Sequence, residues 1–204
     1  MSLTNVQVEE LAKRINIPLE RCCFKSELEE EPLKYNRSYI INLEDEFDKN
    51  GERNDGSHYS CFQVNKYANG KVEPIYFDSY GVVPPLEVLK FVDKSHIPYN
   101  TKDIQSLMNS ACGWYCLAFL HYINTYTNRT QSIYDDCEHF TELFNDLTET
   151  NDFKYNEWVL KLFFQSSDEN TRRKNPITPF KEGELKFIAD PNTISTTSEK
   201  GIPF

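Results

Sequence analysis

The chain lacks two features that would place it in or across a membrane. None of its apolar runs approaches the ~20 residues that a membrane-spanning helix needs. The first ten residues, Met1 to Glu10, do not follow the basic, apolar and small-residue order of a secretory signal. We therefore expect a protein that is neither membrane-bound nor secreted.

Positive charge is also scarce. The sequence has 22 lysines and arginines against 32 aspartates and glutamates, which gives a net charge of −10 and a pI of about 4.9. Such a field repels the phosphates of DNA and RNA. The one clear basic cluster, Arg172-Arg173-Lys174, lies in a polar stretch. We expect no nucleic-acid partner.

The cysteine content excludes a disulfide-stapled secreted scaffold. A chain of 204 residues with 39% hydrophobic residues can bury a core without cross-links. We expect reduced, intracellular thiols and no cofactor. The six cysteines are Cys22, Cys23, Cys61, Cys112, Cys116 and Cys137.

The composition changes once along the chain, at Gln165, and we find no internal repeat. Residues 1–165 carry the apolar patterns of one domain, whereas residues 166–204 are polar and contain prolines. We expect the latter to form a C-terminal tail, mobile or draped over the domain.

Hydrophobic periodicity predicts an α+β domain: a mixed sheet packed on a central buried helix. In the short helix from Leu86 we expect Leu86, Leu89 and Phe91 or Val92 to face inward. The predicted helices are Val6–Ile15, Leu86–Val92, Cys112–Tyr126, Phe140–Leu147 and Tyr155–Phe164, and the predicted strands are Tyr39–Leu43, His58–Val64 and Val72–Phe77.

Asn69-Gly70 between the last two strands predicts a β-hairpin, and its turn decides what the strands bring together. A two-residue turn would pair His58 with Gly81 and point Asp78 to the other face. A three-residue turn, residues 68–70 with Gly70 at positive φ, would place Ser60 opposite Asp78 and His58 diagonal to it on the same face. If His58 and Asp78 work together, the three-residue turn is required.

Cys112 is a candidate nucleophile, since it is the only cysteine followed by glycine at a predicted helix start. Backbone N–H groups and the helix dipole stabilise a thiolate there, and Gly113 allows a close approach of another backbone. The alternative is a structural cysteine buried like any small apolar residue.

Four histidines compete for the role of base. His58 begins a predicted strand, and the alternative is an exposed residue at a sheet edge. His96, next to Ile97-Pro98, is the serious rival. We expect His121 to be a hydrogen-bonded residue of the buried helix, and His139 to lie at the surface among acidic residues.

Asp78 and Gln105 supply a carboxylate and an amide upstream of Cys112. Each also has an ordinary interpretation, Asp78 as a turn residue and Gln105 as a solvated side chain in a loop. A zinc site built from Cys112, Cys116 and His121 lacks an evident second pair of ligands. We therefore expect no metal.

The combination of these segments resembles the adenovirus-type (adenain-like) cysteine endopeptidases, including the maturation proteases of virophages and related mobile elements. The broader fold is shared with the SUMO-specific peptidases. The resemblance spans residues 1–165 and is specific only from His58 to His121. The segments that carry it are His58-Tyr59, Phe77-Asp78-Ser79-Tyr80-Gly81, Gln105-Ser106, Asn109-Ser110-Ala111-Cys112-Gly113, Cys116 and Phe119-Leu120-His121.

The resemblance implies that Cys112 is the nucleophile, His58 the base, Asp78 the third member and Gln105 the oxyanion donor. It implies a maturation protease that processes viral precursor and capsid proteins near small residues, in the virion and host cytoplasm, and we expect a monomer. Two positions depart from the adenoviral pattern: Tyr59 replaces a Trp, and Asp78 replaces a Glu. The alternatives are an isopeptidase that removes ubiquitin or SUMO-like modifiers, and an acidic interaction module with a dead site.

Overall fold

A computed structural model describes residues 3–125 and 132–164. The helices of these residues are α1 (Asn5–Arg14), α2 (Leu86–Val92), α3 (Cys112–Thr125), α4 (Ile133–Glu142) and α5 (Phe153–Phe163), with a 3-10 helix at Lys25–Glu30. The strands are β1 (Leu19–Phe24), β2 (Arg37–Asn42), β3 (Tyr59–Lys66) and β4 (Val72–Phe77). The tail predicted at residues 166–204 lies outside the described residues.

The four strands form one mixed sheet in the order β1-β2-β3-β4. β1 runs parallel to β2, β2 runs antiparallel to β3, and β3 runs antiparallel to β4. Helices cover both faces, so the predicted α+β architecture with a mixed sheet is confirmed. β1 was not predicted from the sequence.

The turn between β3 and β4 is the three-residue one. Cys61 pairs with Phe77 and Lys66 pairs with Val72, and the Tyr67 N–H donates to the Lys71 carbonyl at 2.9 Å. Gly70 has φ +83°, a conformation that favours glycine. This register places His58 and Asp78 at the open end of the hairpin, on the same face.

Helix α3 is the central element of the fold. Ten of its residues are buried, and its stacked partners include Phe77 of β4, whose ring centroid is 4.5 Å from that of Phe119. The helix runs in the same direction as β3. Gly113, near the start of the helix, lies against Tyr59 at the start of β3. Asn124, near the end of the helix, donates a hydrogen bond to Gln63 further along β3. The first residue of α3, Cys112, therefore lies at the end of the hairpin that carries His58.

The alternating strand residues divide the core into two clusters. Cys61 and Phe77 point into the larger cluster, with α1, α3, α4 and α5. Phe62 and Tyr76 point to the other face, which α2 covers. Burial on both faces holds the register of the hairpin, because a one-residue slip would exchange the two sets.

Two predictions about the helices were wrong. The helix predicted at Phe140–Leu147 lies earlier in the chain: α4 starts after Ser132 and ends at Glu142. A capping box formed by Ser132 and Asp135 sets this earlier start. Leu86 is 70% exposed rather than buried. Val88 and Val92 are the buried residues of α2, and Leu89 and Phe91, as predicted, pack partly buried against the same cluster. In the described part of the chain, no helix is long and apolar enough to cross a membrane.

Candidate active site

Cys112 occupies the first turn of α3. The N–H groups of Trp114 and Tyr115 both donate to the Ala111 carbonyl, at 2.9 and 3.0 Å. The N–H groups of Cys112 and Gly113 precede the first helical hydrogen bond. These donors and the helix dipole favour negative charge at this end of the helix.

His58 links Cys112 to Asp78. Its Nε2 lies 2.8 Å from Asp78 Oδ2, and its side chain is 14% exposed while that of Asp78 is fully buried. The imidazole also interacts with the side chain of Cys112, which is among the groups that raise its pKa. Since Nε2 is engaged by Asp78, Nδ1 is the nitrogen available to the sulfur. The structure thus brings together the three side chains predicted to form the catalytic group.

The surroundings of His58 favour its charged form. Burial alone would lower the pKa of the imidazole, but hydrogen bonds to Asp78 and Cys112, with their charges, raise this pKa from 6.5 to about 9. The imidazole is therefore protonated at neutral pH.

Asp78 is held from several sides. Its Oδ1 accepts a hydrogen bond from the Tyr80 N–H at 2.8 Å. This hydrogen bond to the backbone two residues on is typical of an aspartate in a turn. The Asn100 side chain accepts from the Asp78 N–H at 2.9 Å and donates to the Asp78 carbonyl at 2.6 Å. Asn100 was not identified from the sequence, because its loop follows Pro98 with no periodic pattern to locate it.

Gln105 is buried rather than solvated, with 1% of its surface exposed. Its Oε1 accepts from Ser79 Oγ at 2.7 Å. Its Nε2 donates to Tyr80 Oη at 3.0 Å and to the Asn109 carbonyl at 3.2 Å. The partners of the amide are therefore Ser79 and Tyr80, which follow Asp78, and Asn109, which lies three positions before Cys112. Both N–H donors of the amide have partners within the protein.

Tyr80 is a second residue that sequence reasoning did not single out. Its ring lies 4.7 Å from that of His58, tilted by 31°. Burial and then the charge at Cys112 raise the pKa of its phenol. Gly81 follows it at φ +69°, where a Cβ would lie 2.6 Å from the Thr101 carbonyl oxygen. Only glycine fits this turn without displacing the neighbouring loop.

The rival histidines lie elsewhere. His96 and His139 are exposed, and His121 Nδ1 lies 3.0 Å from the Ile15 carbonyl oxygen. Burial lowers the pKa of His121 to about 4. Within residues 3–125 and 132–164, no three His, Cys, Asp or Glu side chains are grouped so as to hold a metal ion.

Most of the buried cysteines other than Cys112 have surroundings that disfavour the thiolate. All six thiols are buried and unpaired. Burial raises the pKa of four of the other five cysteines. No histidine acts on these four thiols to lower that pKa again. They are Cys22, Cys23, Cys116 and Cys137.

The residue after His58 has a structural role. Tyr59 points away from His58 into the larger core, and its hydroxyl donates to Asn5 Oδ1 at 2.6 Å. A Cβ on Gly113 would lie 3.4 Å from the Tyr59 ring and 3.3 Å from Leu3. Gly113 therefore lets α3 pack closely on Tyr59 and the segment before α1.

A groove of about 330 Å³ has Gln105 among its lining residues. Its apolar walls include Leu107 and Met108, which are 82% and 93% exposed, together with Leu147 and Phe153. Leu107 and Met108 are adjacent and both exposed, and a contiguous exposed apolar patch can mark a place where another chain binds.

Taken together, these side chains can perform nucleophilic acyl chemistry. A sulfur, an imidazole and a buried carboxylate lie in sequence. Such an arrangement can carry an acyl group on the sulfur.

Comparison with known proteins adds little detail. No known protein family matches the sequence, and no curated protein does. Among solved structures the chain is similar to HopZ1a, crystallised in complex with IP6, at 10% identity and a TM-score of 0.40. The alignment covers 88% of this chain and 59% of that chain. The site is therefore assigned from the geometry of this chain alone.

Proposed function

We propose that the protein is a cysteine endopeptidase of the adenovirus type that cleaves viral precursor or capsid polypeptides. The observation that supports this most strongly is the contact of one imidazole with both the Cys112 sulfur and the buried Asp78 carboxylate. A histidine with a purely structural role would not require contacts with both a cysteine at a helix start and a buried carboxylate.

The proposed reaction begins with attack of the Cys112 thiolate on a peptide carbonyl. The N–H of Cys112 and the Gln105 amide bind the resulting oxyanion. The C–N bond then breaks, and the imidazolium of His58 donates its proton to the departing amine. This leaves an acyl group on the sulfur and a neutral imidazole.

Hydrolysis of that thioester restores the enzyme. The neutral His58 takes a proton from water, the water oxygen attacks the acyl carbon, and the thiolate leaves beside the imidazolium. Asp78 keeps its bond to Nε2 throughout, so Nδ1 carries the transferred proton. Asp78 also stabilises the positive charge of the ring in the resting enzyme.

A polypeptide substrate agrees with the surface beside the site. The apolar groove that has Gln105 among its lining residues can take a bulky side chain of an extended chain, and a small residue next to the cleaved bond would let the backbone approach Cys112. The net charge of −10 argues against nucleic acid as a partner. We further propose a monomer acting in the virion and host cytoplasm.

Two substrates presented side by side test the proposal. One is a viral capsid precursor, and the other is a ubiquitin-like fusion whose first domain ends in Gly-Gly. We expect cleavage of the precursor at a discrete position near a small residue, read by mass spectrometry of the cut ends, and weak action on the fusion. Cys112→Ala serves as the control for a contaminating protease.

The alternatives predict other outcomes. Efficient hydrolysis of the fusion with an intact precursor would assign the chain to modifier removal. No cleavage of either substrate, with no reaction at the Cys112 thiol, would favour an interaction module. The intact contact between His58 and Asp78 argues against such a dead site.

A further inference from the structure

We propose that Tyr80 is a positioning residue that couples the base to the oxyanion donor, its ring covering His58 and its hydroxyl holding the Gln105 amide. This inference rests on the proposed function. Ser79 and Tyr80, which follow Asp78, had no predicted role.

Three consecutive residues hold both parts of the site. Asp78 binds the imidazole. Ser79 binds Gln105 through its hydroxyl, and its carbonyl accepts from the Gln105 N–H at 3.1 Å. Tyr80 touches the imidazole through its ring and Gln105 through its hydroxyl. The base and the oxyanion donor are therefore fixed by one short segment.

The orientation of the Gln105 amide follows from its partners. The Asn109 carbonyl can only accept, so the nitrogen of the amide must face it. The oxygen then faces the Ser79 hydroxyl, and the second N–H is directed at Tyr80 Oη. Both donors are thus occupied before any substrate binds.

Oxyanion binding requires one of these N–H groups. The bond to Asn109 belongs to the loop that leads into α3, and Asn109 is tied in turn to Glu157 of α5 at 2.8 Å. The other N–H donates to the hydroxyl of Tyr80, whose half-buried ring contacts His58. We infer that the second N–H serves the oxyanion, and that the phenol keeps it aligned until the substrate arrives.

The ring of Tyr80 has a separate task. It covers His58, whose side chain is only 14% exposed. Loss of the ring would admit water beside the imidazole and weaken its contacts with Asp78 and Cys112, since water screens charges. The hydroxyl and the ring should therefore be separable by substitution.

A double-mutant cycle tests this division. Tyr80→Phe removes the hydroxyl alone and should lower kcat about three- to ten-fold at unchanged KM, because the Gln105 amide is then no longer held in the orientation that binds the oxyanion. In a Gln105→Ala background the same substitution should have no further effect. Tyr80→Leu also removes the ring and should still lower kcat in that background, because the ring acts through His58.

Tyr35→Phe is the matched control, since Tyr35 is 43% exposed and its ring contacts Lys66. It should leave kcat unchanged. Equal losses from Tyr80→Phe with and without Gln105 would overturn the proposal, because the hydroxyl would then act elsewhere.

A second readout does not depend on activity. In the NMR spectrum of Cys112→Ala protein, one Nε2 proton of Gln105 should move upfield and exchange faster when Tyr80→Phe is added, whereas Tyr35→Phe should leave it in place. An unmoved signal would overturn the proposal. A moved signal, together with a wild-type protein that cleaves no peptide, would instead show that the proposed function is wrong while the contact is real.

Discussion

His58 Nε2 and Asp78 Oδ2 lie 2.8 Å apart across the open end of a hairpin whose register depends on a glycine turn. The contact exists because Gly70 adopts a positive φ, which sets a three-residue turn between the strands. A two-residue turn would have placed the two side chains on opposite faces. Catalytic geometry here depends on a turn at the far end of the strands.

The first prediction concerns the reactive thiol. A stoichiometric amount of iodoacetamide should label Cys112 before the other five cysteines, because His58 contacts its sulfur and burial raises the pKa of Cys22, Cys23, Cys116 and Cys137. Peptide mapping by mass spectrometry locates the label. Cys137→Ala is the control and should leave the labelling rate unchanged; first labelling of Cys116 or Cys137 would move the site.

The second prediction concerns the charge of His58. The folded pKa is raised from 6.5 to about 9, so the stabilisation from the imidazolium is complete below pH 6.5 and is lost as pH rises through about 9. An NMR titration of the His58 ring should show a midpoint near pH 9. Asp78→Asn should lower this midpoint and slow turnover, whereas Asp48→Asn in an exposed loop should not.

A midpoint for His58 near its ordinary value in the wild-type protein would contradict this account of the site. So would a midpoint that Asp78→Asn leaves unchanged, because the carboxylate would then not stabilise the imidazolium.

The residues that the sequence could place are those within regular strands and helices. Apolar alternation predicts β3 and β4, and Asn69-Gly70 restricts their register to two choices. The start of α3 follows from the apolar run after Cys112. The hairpin register brings His58 and Asp78 together, whereas the position of Cys112 beside them was expected only from the family resemblance.

The residues that the sequence could not place depend on loops and on tertiary pairing. Leu19–Phe24 contains charged residues and becomes strand β1 only through its parallel pairing with β2. Asn100 and Tyr80 act through side-chain contacts between loops, which have no periodicity to reveal them. Ser132-x-x-Asp135 is a helix-start signal that could have located α4.

The third prediction concerns Asn100. Asn100→Ala removes two hydrogen bonds to the backbone of Asp78. We expect the free energy of unfolding to fall by about 2–3 kcal/mol, since each buried bond contributes about 1 kcal/mol and unpaired partners add to the cost, and we expect kcat to fall as well. Urea unfolding measures the first effect, with Asn50→Ala as a surface control; equal stability of the two variants would contradict the role of Asn100.

The fourth prediction separates binding from chemistry. Gln105→Ala should lower kcat on the order of 10²–10³-fold with little change in KM, as expected for an oxyanion donor. Unchanged kcat would exclude this role. Steady-state kinetics on a peptide that the wild-type protein cleaves gives both constants.

The fifth prediction concerns the apolar groove beside Gln105. Met108→Glu should raise KM with little change in kcat, because a charge would oppose an apolar substrate side chain without reaching the Cys112 sulfur. Leu86→Glu is the matched control, since Leu86 is 70% exposed on α2 and does not line the groove. Equal KM values for the two variants would show that the substrate does not use this surface.

The central claim is that Cys112 carries an acyl group during turnover, and a rapid-mixing experiment with an activated peptide ester tests it most directly. We predict a burst of about one leaving group per protein molecule and an acyl adduct on Cys112 in the intact mass. His58→Ala should remove the burst while the protein stays folded. An equal burst from Cys112→Ala, or no burst from the wild-type protein, would contradict the account.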